Sequence, residues 1–320
     1  MTAYIIRRIL WGIVLIMLVS ALTFVLFNVL PGANPAQLRA GRNASPAIIA
    51  RITHELGLDK PIYTQFFDYM KGIIFHLNFG YSYYTDAPVL GLITNRLPAT
   101  LSLTVGAAII WLMAGIPIGI ISAIKRGSLL DRASMTIALV FVSMPVFWFG
   151  LVVLFLFSND IGRFHIFPGA SSYVGLTVSP VNWFTSLILP WIVLAGTSAA
   201  IYSRLLRGSL IEAMGEDYIR TARAKGLSER RVIWHHGVRS AITPVVTIFG
   251  LDVGSLLGGA VITETVFDIP GIGRLNYEAI IRSDFPIVQG TVLLAAVFIV
   301  VANIIVDISY AYLDPRVRYS

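Results

Sequence analysis

Residues 215–228 read GEDYIRTARAKGLS and interrupt a chain that is otherwise mostly apolar. Acidic residues stand at the start of this helix-compatible stretch and basic residues near its end, which matches the direction of a helix dipole. Gly226 suits the left-handed position that ends a helix. Ser228 can then begin a second helix as its N-cap, with Leu227 and Val232 as a hydrophobic staple. The segment predicts two short helices that meet at a turn; a solvated linker is the alternative.

Apolar runs long enough to cross a membrane lie on both sides of this segment. A helix needs about 20 apolar residues to span a hydrocarbon core roughly 30 Å thick. Six such runs are found, at 9–30, 99–124, 133–159, 184–202, 241–267 and 285–306. The fourth is the shortest, and we expect Pro190 to kink its start. The sequence therefore predicts an all-α, polytopic membrane protein with six transmembrane helices.

The overall composition also indicates a membrane protein. Of the 320 residues, 56% are hydrophobic and 13% are charged, and the mean hydropathy is +0.78. A soluble domain has about 25% charged residues. The shortage of charge disfavours a soluble enzyme and excludes a disordered or nucleic-acid-binding chain. The absence of cysteine excludes a disulfide scaffold, thiolate metal sites and cysteine nucleophiles.

The basic residues collect on one side of the predicted membrane. If the N-terminus is cytoplasmic, the inside segments hold fifteen of the 24 Lys and Arg residues. Cytoplasmic loops of membrane proteins collect Lys and Arg, so both termini are predicted to be cytoplasmic. The net charge of +7 is then a topology signal, not the mark of a polyanion partner. The first run exceeds a signal-peptide core in length and no A-x-A site follows it, so we predict a retained helix.

The runs also give a domain organisation. We predict four parts, which are a membrane helix at 1–30, an external segment with short amphipathic helices at 31–95, five membrane helices with a cytoplasmic loop near 212–228 at 96–313, and a cytoplasmic tail at 314–320. The external segment either packs as a cap over the chain's own helices or lies on the membrane surface or a partner.

Residues 215–227 resemble the Glu-Ala-Ala coupling loop of ABC importer permeases, in its dipeptide and oligopeptide permease form. Shorter motifs of the same family are RLPATL at 96–101, SMPVFW at 143–148, ITETVF at 262–267, PGIG at 270–273, FPIVQG at 285–290 and DPR at 314–316. The resemblance covers nearly the whole chain.

The loop departs from the general permease pattern at three positions. Arg220 stands where many permeases have Glu, Thr221 replaces the first Ala, and Pro244 lies farther after Gly226 than is usual. These departures resemble the peptide-permease branch rather than sugar or amino-acid permeases. The usual contacts of the Glu cannot be transferred to Arg220.

The resemblance implies a type I ABC importer architecture in a bacterial or archaeal plasma membrane. It implies that this chain pairs with a second homologous permease, that two cytoplasmic ATPases bind ATP and Mg and dock on the coupling helices, and that an external substrate-binding protein delivers the cargo. Peptides are the implied cargo, with nickel chelates or oligosaccharides as alternatives. No cofactor is expected in this chain; membrane lipid surrounds it. The implied coupling residues are Gly215, Glu216, Asp217, Tyr218, Arg220, Thr221, Ala222, Ala224, Lys225 and Gly226.

Three acidic residues lie within or at the ends of predicted spans, where a charge usually faces a cavity or a partner. For Glu264, a pore or gate position and an interhelical hydrogen bond both stay open. The same two interpretations stay open for Asp252. Asp307 lies near the inner interface, where we expect it to pair with Arg204 or Arg207.

Three glycines of the fifth run, Gly250, Gly254 and Gly258, repeat at four-residue spacing. Such a stripe lets two helices approach closely. A static packing seam is the first interpretation, and a surface that slides during gating is the alternative.

Patterns of catalysis and nucleotide binding are missing from the sequence. It contains no G-x-x-x-x-G-K-[ST] loop, and none of its five histidines shares a span with an acidic residue. Adjacent His235 and His236 would point apart on a helix, so no metal site and no enzyme activity are expected. A self-sufficient secondary carrier is the rival function, but it leaves the cytoplasmic turn unexplained. Many carriers also consist of two matching halves, and this sequence shows no such repeat.

Overall fold

Helices make up most of the described chain, which comprises residues 2–29, 35–41 and 44–313 of a computed structural model. In chain order they are α1 (Thr2–Phe24), α2 (Pro35–Ala40), α3 (Pro46–Glu55), α4 (Ile62–His76), α5 (Val89–Ile124), α6 (Leu129–Ser143), α7 (Val146–Phe157), α8 (Pro180–Gly215), α9 (Asp217–Ala224), α10 (Glu229–Arg231), α11 (Arg239–Ala241), α12 (Thr243–Leu257), α13 (Val261–Val266), α14 (Ile272–Arg282) and α15 (Phe285–Leu313). Two π-helical segments, Val25–Val29 and Val232–Val238, extend α1 and join α10 to α11. The all-α class is confirmed; the predicted tail 314–320 and its DPR motif lie outside the described residues.

Four helices are each long and apolar enough to cross a membrane, namely α1, α5, α8 and α15. Two further spans exist only as bent pairs. In one, α6 and α7 meet at 104°, and in the other Glu229–Ala241 and α12 meet at 46°. The described residues therefore hold six spans only when each bent pair is counted as one.

The two prolines in the predicted third and fourth runs have opposite outcomes. The run 133–159 is not one helix, because Met144 between α6 and α7 is extended, with φ −79° and ψ 126°. A following proline favours this conformation, and Pro145 has no N–H to continue a helix. By contrast, α8 continues through Pro190 as one 36-residue helix. The predicted run 184–202 is thus the middle part of a longer helix that continues past Arg204 to Gly215. The kink at Pro190 stays a prediction.

The predicted fifth run, 241–267, is broken between α12 and α13. Gly259 lies in this break with φ +121°, which L-residues with a side chain rarely adopt. A Cβ there would also collide with the backbone of Gly273 at the start of α14. The break therefore allows α14 to pass closely over the end of α12.

The central helix pair is α5 and α8, whose 36 residues each correspond to about 54 Å. Gly106 makes room for the ring of Trp191, and a Cβ at Gly119 would lie 2.8 Å from the main-chain oxygen of Ser203. The contact farther along α5 is also the one farther along α8, so the two helices run parallel. The predicted boundary at 95/96 falls inside α5, in the second turn after the helix begins at Val89.

The last helix, α15, runs antiparallel to α1 and α12. Gly12 of α1 lies against Val300, and Arg8 pairs with Asp307 farther along α15. The starts of α5 and α15 share one apolar cluster. We call the end with α2–α4 and these starts the cap end, and the opposite end, where α8 leads into α9, the α9 end.

Candidate functional site

The candidate site is α9, the short helix that follows α8 directly. Glu216 separates the two helices with an extended backbone, φ −71° and ψ 154°. Asp217 stands in the first turn and Arg223 in the last, as the dipole argument requires. Helix α9 therefore confirms the helix predicted in the coupling loop. It lies at the end of α8, one of the two 36-residue helices.

Gly226 ends α9 as predicted. Its φ is +76°, and a Cβ built on it would meet nothing within 4 Å. The requirement for glycine here is therefore conformational, not steric. Leu227 N then donates to the carbonyl of Ala222 at 3.4 Å and turns the chain back.

The inner face of α9 packs on its own chain. Ile219 is fully buried and Ala222 is nearly so, and both join Val232 in a small cluster that also contacts Leu227. Leu227 packs against the cluster that contains Val232; a direct staple between the two side chains stays a prediction. Of the implied coupling residues, Ala222 therefore faces inward, away from the exposed side of α9.

The second predicted helix differs from expectation. Ser228 has the extended backbone of an N-cap, but its side chain caps no N–H group. Only Glu229–Arg231 is α-helical, and the π-helical Val232–Val238 follows. An ion pair of 2.6 Å between Arg223 and Glu229 closes the turn.

The outer face of α9 is polar, exposed and of mixed charge. Tyr218 is 42% exposed, and Arg220 forms a solvated ion pair of 3.3 Å with Asp217. Pairs of this kind contribute little stability, so their charges stay available to another protein. The other predicted coupling residues that lie on this exposed surface are Gly215, Glu216, Thr221, Ala224, Lys225 and Gly226.

A buried ion pair fixes α8 shortly before α9. Arg207 of α8 donates to both oxygens of Asp131, at 2.7 and 2.8 Å. Asp131, at the start of α6, is 3% exposed and also accepts from Ser122 Oγ of α5 at 2.8 Å. Three helices therefore meet at one carboxylate. This cluster was not predicted, although the Arg207 charge at the end of an apolar run was a signal.

Asp307 does not pair with Arg204 or Arg207, so that expectation was wrong. It pairs with Arg8 at 3.1 Å, because α1 and α15 are antiparallel and bring the first and last charges of the membrane region together.

The two acidic gate candidates both make interhelical hydrogen bonds. Tyr202 of α8 donates to Asp252 at 2.9 Å. Glu264 is fully buried and accepts from Thr100 Oγ1 of α5 and from the N–H of Arg274, each at 2.8 Å. The structure therefore contains the interhelical alternative for both; a gating role for either residue stays a prediction.

The predicted glycine stripe faces α15. A Cβ at Gly254 would lie 2.8 Å from Cβ of Ala302, and one at Gly258 would lie 2.7 Å from Cβ of Ala295. Gly250 faces Val306 in the same way. The stripe is thus a packing seam in this structure, and sliding stays a prediction.

A second glycine seam was missed in the sequence. Gly115 and Gly119 of α5 pack on the main chain of Ala199 and Ser203 of α8. Their four-residue spacing was the available signal. In the residues that the structure describes, three or more His, Asp or Glu side chains nowhere gather into a possible metal site.

Two family models match the chain. One, described as binding-protein-dependent transport system inner membrane component, matches residues 115–319, and its N-terminal counterpart matches residues 1–104. The chain is 40% identical to the dipeptide transport system permease protein DppB of Escherichia coli (strain K12), over 100% of this chain and 99% of the other. It is 41% identical to the di/tripeptide transport system permease protein DppB of Pseudomonas aeruginosa (strain UCBPP-PA14), over 94% of each.

The fold is also similar to a solved structure of the MetNI methionine ABC transporter in an inward facing conformation. The TM-score is 0.53 at 16% identity, over 70% of this chain and 97% of that one. At this identity the likeness concerns the fold alone.

Proposed function

The chain belongs to the family of binding-protein-dependent transport system inner membrane components, and we propose that it forms half of a pore through which an ATP-driven importer takes up di- and oligopeptides. It is a membrane permease subunit, a transport component and not an enzyme. The full-length identity to proteins named as dipeptide and di/tripeptide permeases supports peptide cargo. It does not favour nickel chelates or oligosaccharides.

The position of α9 carries this proposal. An exposed helix of mixed charge stands at the end of a 36-residue helix and is held to its own chain by only one face. A docked protein can displace such a helix, and α8 would transmit the displacement into the membrane. We assign the docked protein as a cytoplasmic ATPase that binds ATP and Mg, one for each of two paired permeases.

The route of movement follows from the packing. The pair of Arg207 with Asp131 binds α8 to α5 and α6 near α9, and the glycine contacts hold α5 on α8 farther along. A displacement of α9 would therefore move α5 and α8 as one body. Tyr202 and Thr100 would carry it to Asp252 and Glu264.

The proposed orientation places the α9 end in the cytoplasm, together with both termini. Fifteen of the 24 Lys and Arg residues then lie inside, in agreement with the charge bias of membrane proteins. The cap end would face the external binding protein that delivers the peptide.

Reconstitution tests the function. We expect this chain, assembled with its partner permease, two ATPases and the binding protein in proteoliposomes, to accumulate a labelled dipeptide only when ATP is present. Uptake by the purified chain alone, without ATP, would identify a secondary carrier instead.

A single substitution tests the role of α9. Gly226→Asp adds a negative charge to the exposed turn, and we expect it to reduce ATP-driven uptake at least tenfold. Gly226→Asn is the matched control, since it has the same shape and tolerates positive φ equally well. Normal uptake by Gly226→Asp would show that this surface is not the ATPase contact.

A further inference from the structure

A groove of about 430 Å³ lies at the cap end. Its walls come from the end of α1, from α2, from the end of α3 and the loop after it, from α4 and the loop after it, and from the first two turns of α15. This volume is within the range of small-molecule sites.

Two polar atoms in the groove wall are unsatisfied. Gln289 of α15 is only 6% exposed, and its Nε2 has no hydrogen-bond partner among the residues that the structure describes. The hydroxyl of Tyr69 on α4 is also buried and has no hydrogen-bond partner among the described residues. Burial raises the pKa of Tyr69 to about 12, so at neutral pH it keeps its proton and can donate. Both side chains line the groove, and each holds a donor that is closed to solvent and has no acceptor among the described residues.

The groove wall is fixed rather than adaptable on the α15 side. Asp284, 2% exposed, accepts from the hydroxyl of Ser82 and from the N–H of Tyr83 at 3.0 Å. These bonds fasten the loop after α4 to the residue that precedes α15. Gln289 lies little more than one turn farther along that helix, so its position relative to the loop is set.

The rim of the groove carries charges of both signs. Arg39 and Lys60 supply the positive charges, and Glu55 and Asp68 the negative ones. Lys60 and Asp68 lie 2.9 Å apart in a solvated pair that another charged group can replace. A rim of this kind suits a zwitterion better than a simple anion or cation.

We propose that this groove binds a short peptide: the Gln289 amide and the Tyr69 hydroxyl turn toward it and donate to its carbonyl oxygens, while its charged termini meet the rim. The inference rests on the proposed peptide import and adds a second recognition site, on the permease itself and before the pore. The same peptide groups could be presented by a free peptide or by a loop of the docked binding protein; we assign the free peptide.

Equilibrium dialysis of ¹⁴C-labelled Ala-Phe against the assembled permease–ATPase complex, without binding protein, tests the assignment. We expect saturable binding to the native complex and a Kd at least tenfold higher for Gln289→Leu and Tyr69→Phe. Tyr84→Phe is the control, because Tyr84 is on the same loop, is 71% exposed and does not line the groove. Thermal unfolding of Gln289→Leu checks that the variant is folded, and Tyr69→Phe, which removes one hydroxyl, tests the groove independently.

Three outcomes would overturn the assignment. The first two are no saturable binding of Ala-Phe and equal Kd values in all variants. The third comes from a parallel titration with unliganded binding protein: a loss in Gln289→Leu that affects only binding of that protein would identify one of its loops as the occupant. Uptake measured with the same preparations separates this inference from the proposed function. If the native complex imports the dipeptide with ATP, a negative dialysis result rejects the groove alone.

Discussion

The α5–α8 and α12–α15 pairs are both packed through glycines, and they differ in what the glycines meet. Between α5 and α8, a Cβ at Gly119 would lie 2.8 Å from the main-chain oxygen of Ser203. Between α12 and α15, a Cβ at Gly250 would collide with one methyl group of Val306. A backbone oxygen moves only with its helix, whereas a side chain can turn or be shortened. We therefore call the α5–α8 seam rigid for its backbone contact at Gly119, and the α12–α15 seam adjustable for its side-chain contact at Gly250. At Gly254 and Gly258 the second seam meets alanine Cβ atoms, which move only with their helix.

The ion pairs near the two seams differ in the same direction. Near α5 and α8, Asp131 is 3% exposed and Arg207 binds it with two nitrogens. Near α12 and α15, Arg8 approaches Asp307 with side chains 47% and 16% exposed. The seam that leads to α9 is thus the more rigid of the two. A rigid seam fits the proposed role of α8 in transmitting movement from α9. Adjustment during transport is expected in the other seam.

Breaking the buried ion pair should have the largest effect. Arg207→Leu leaves the Asp131 carboxylate, which is 3% exposed, without its counter-charge, and an uncompensated charge of this kind destabilises the fold. The midpoint of thermal unfolding in detergent should fall clearly. Arg204→Leu, on the exposed side of the same helix, is the matched control and should leave the midpoint nearly unchanged.

A double variant separates charge burial from lost packing. Arg207→Leu with Asp131→Asn should recover part of the stability, because no buried charge remains. If the double variant is no more stable than Arg207→Leu alone, the carboxylate does not depend on Arg207.

An added methyl group in the rigid seam should have the next largest effect. Gly119→Ala forces α5 away from the Ser203 oxygen, and overpacking of this kind costs about 1–3 kcal/mol. Leu206→Ala should not rescue it, since the alanine keeps the Cβ that lies 3.1 Å from the new methyl group. Thermal unfolding in detergent measures both variants.

Gly208→Ala is the control for helix propensity. Gly208 lies in α8 with nothing within 4 Å of an added Cβ, so alanine there should stabilise by about 0.5–1 kcal/mol. Equal effects at positions 119 and 208 would contradict the rigid seam.

Local signals in the sequence predicted α9, its glycine stop and the Gly250–Gly254–Gly258 stripe, because each depends on neighbours within one or two turns. The partner of Asp307 could not be predicted in this way. It is Arg8, about 300 positions away in the sequence, and only the antiparallel arrangement of α1 and α15 brings the two together. The same limit applies to the two unsatisfied donors of the cap-end groove, which come from α4 and α15.

Proline shows why even local signals fail. Pro145 ends the membrane helix before it, whereas α8 continues through Pro190. Trp191, next to Pro190, is buried and donates through Nε1 to the carbonyl of Ser102 at 3.0 Å. Packing against α5 thus holds α8 together at its proline, and this support is not visible in the local sequence.

The adjustable seam should respond less to the same change. Gly250→Ala meets only the Val306 side chain at close range, so we expect a loss of about 1 kcal/mol, at the low end of overpacking. Val306→Ala in the same molecule should restore most of it, and a double-mutant cycle measures the coupling. Without that rescue, the backbone would limit this seam too. If the seam slides during transport, Gly250→Ala will lower peptide uptake more than it lowers assembly.

The smallest effect is expected at the exposed pair. Asp307→Asn removes the attraction to Arg8, whose side chain is about half exposed, and we expect a loss of at most about 1 kcal/mol, the upper end for surface pairs. Ionic strength gives the test, because salt screens exposed charges and affects buried ones much less. The difference in thermal midpoint between the native chain and Asp307→Asn should disappear at about 1 M salt, where the Debye length is about 3 Å, while that of Arg207→Leu should persist. A salt-resistant loss at Asp307 would mean that α1 and α15 are held as firmly as α5 and α8, and the contrast between the two seams would then rest on the glycines alone.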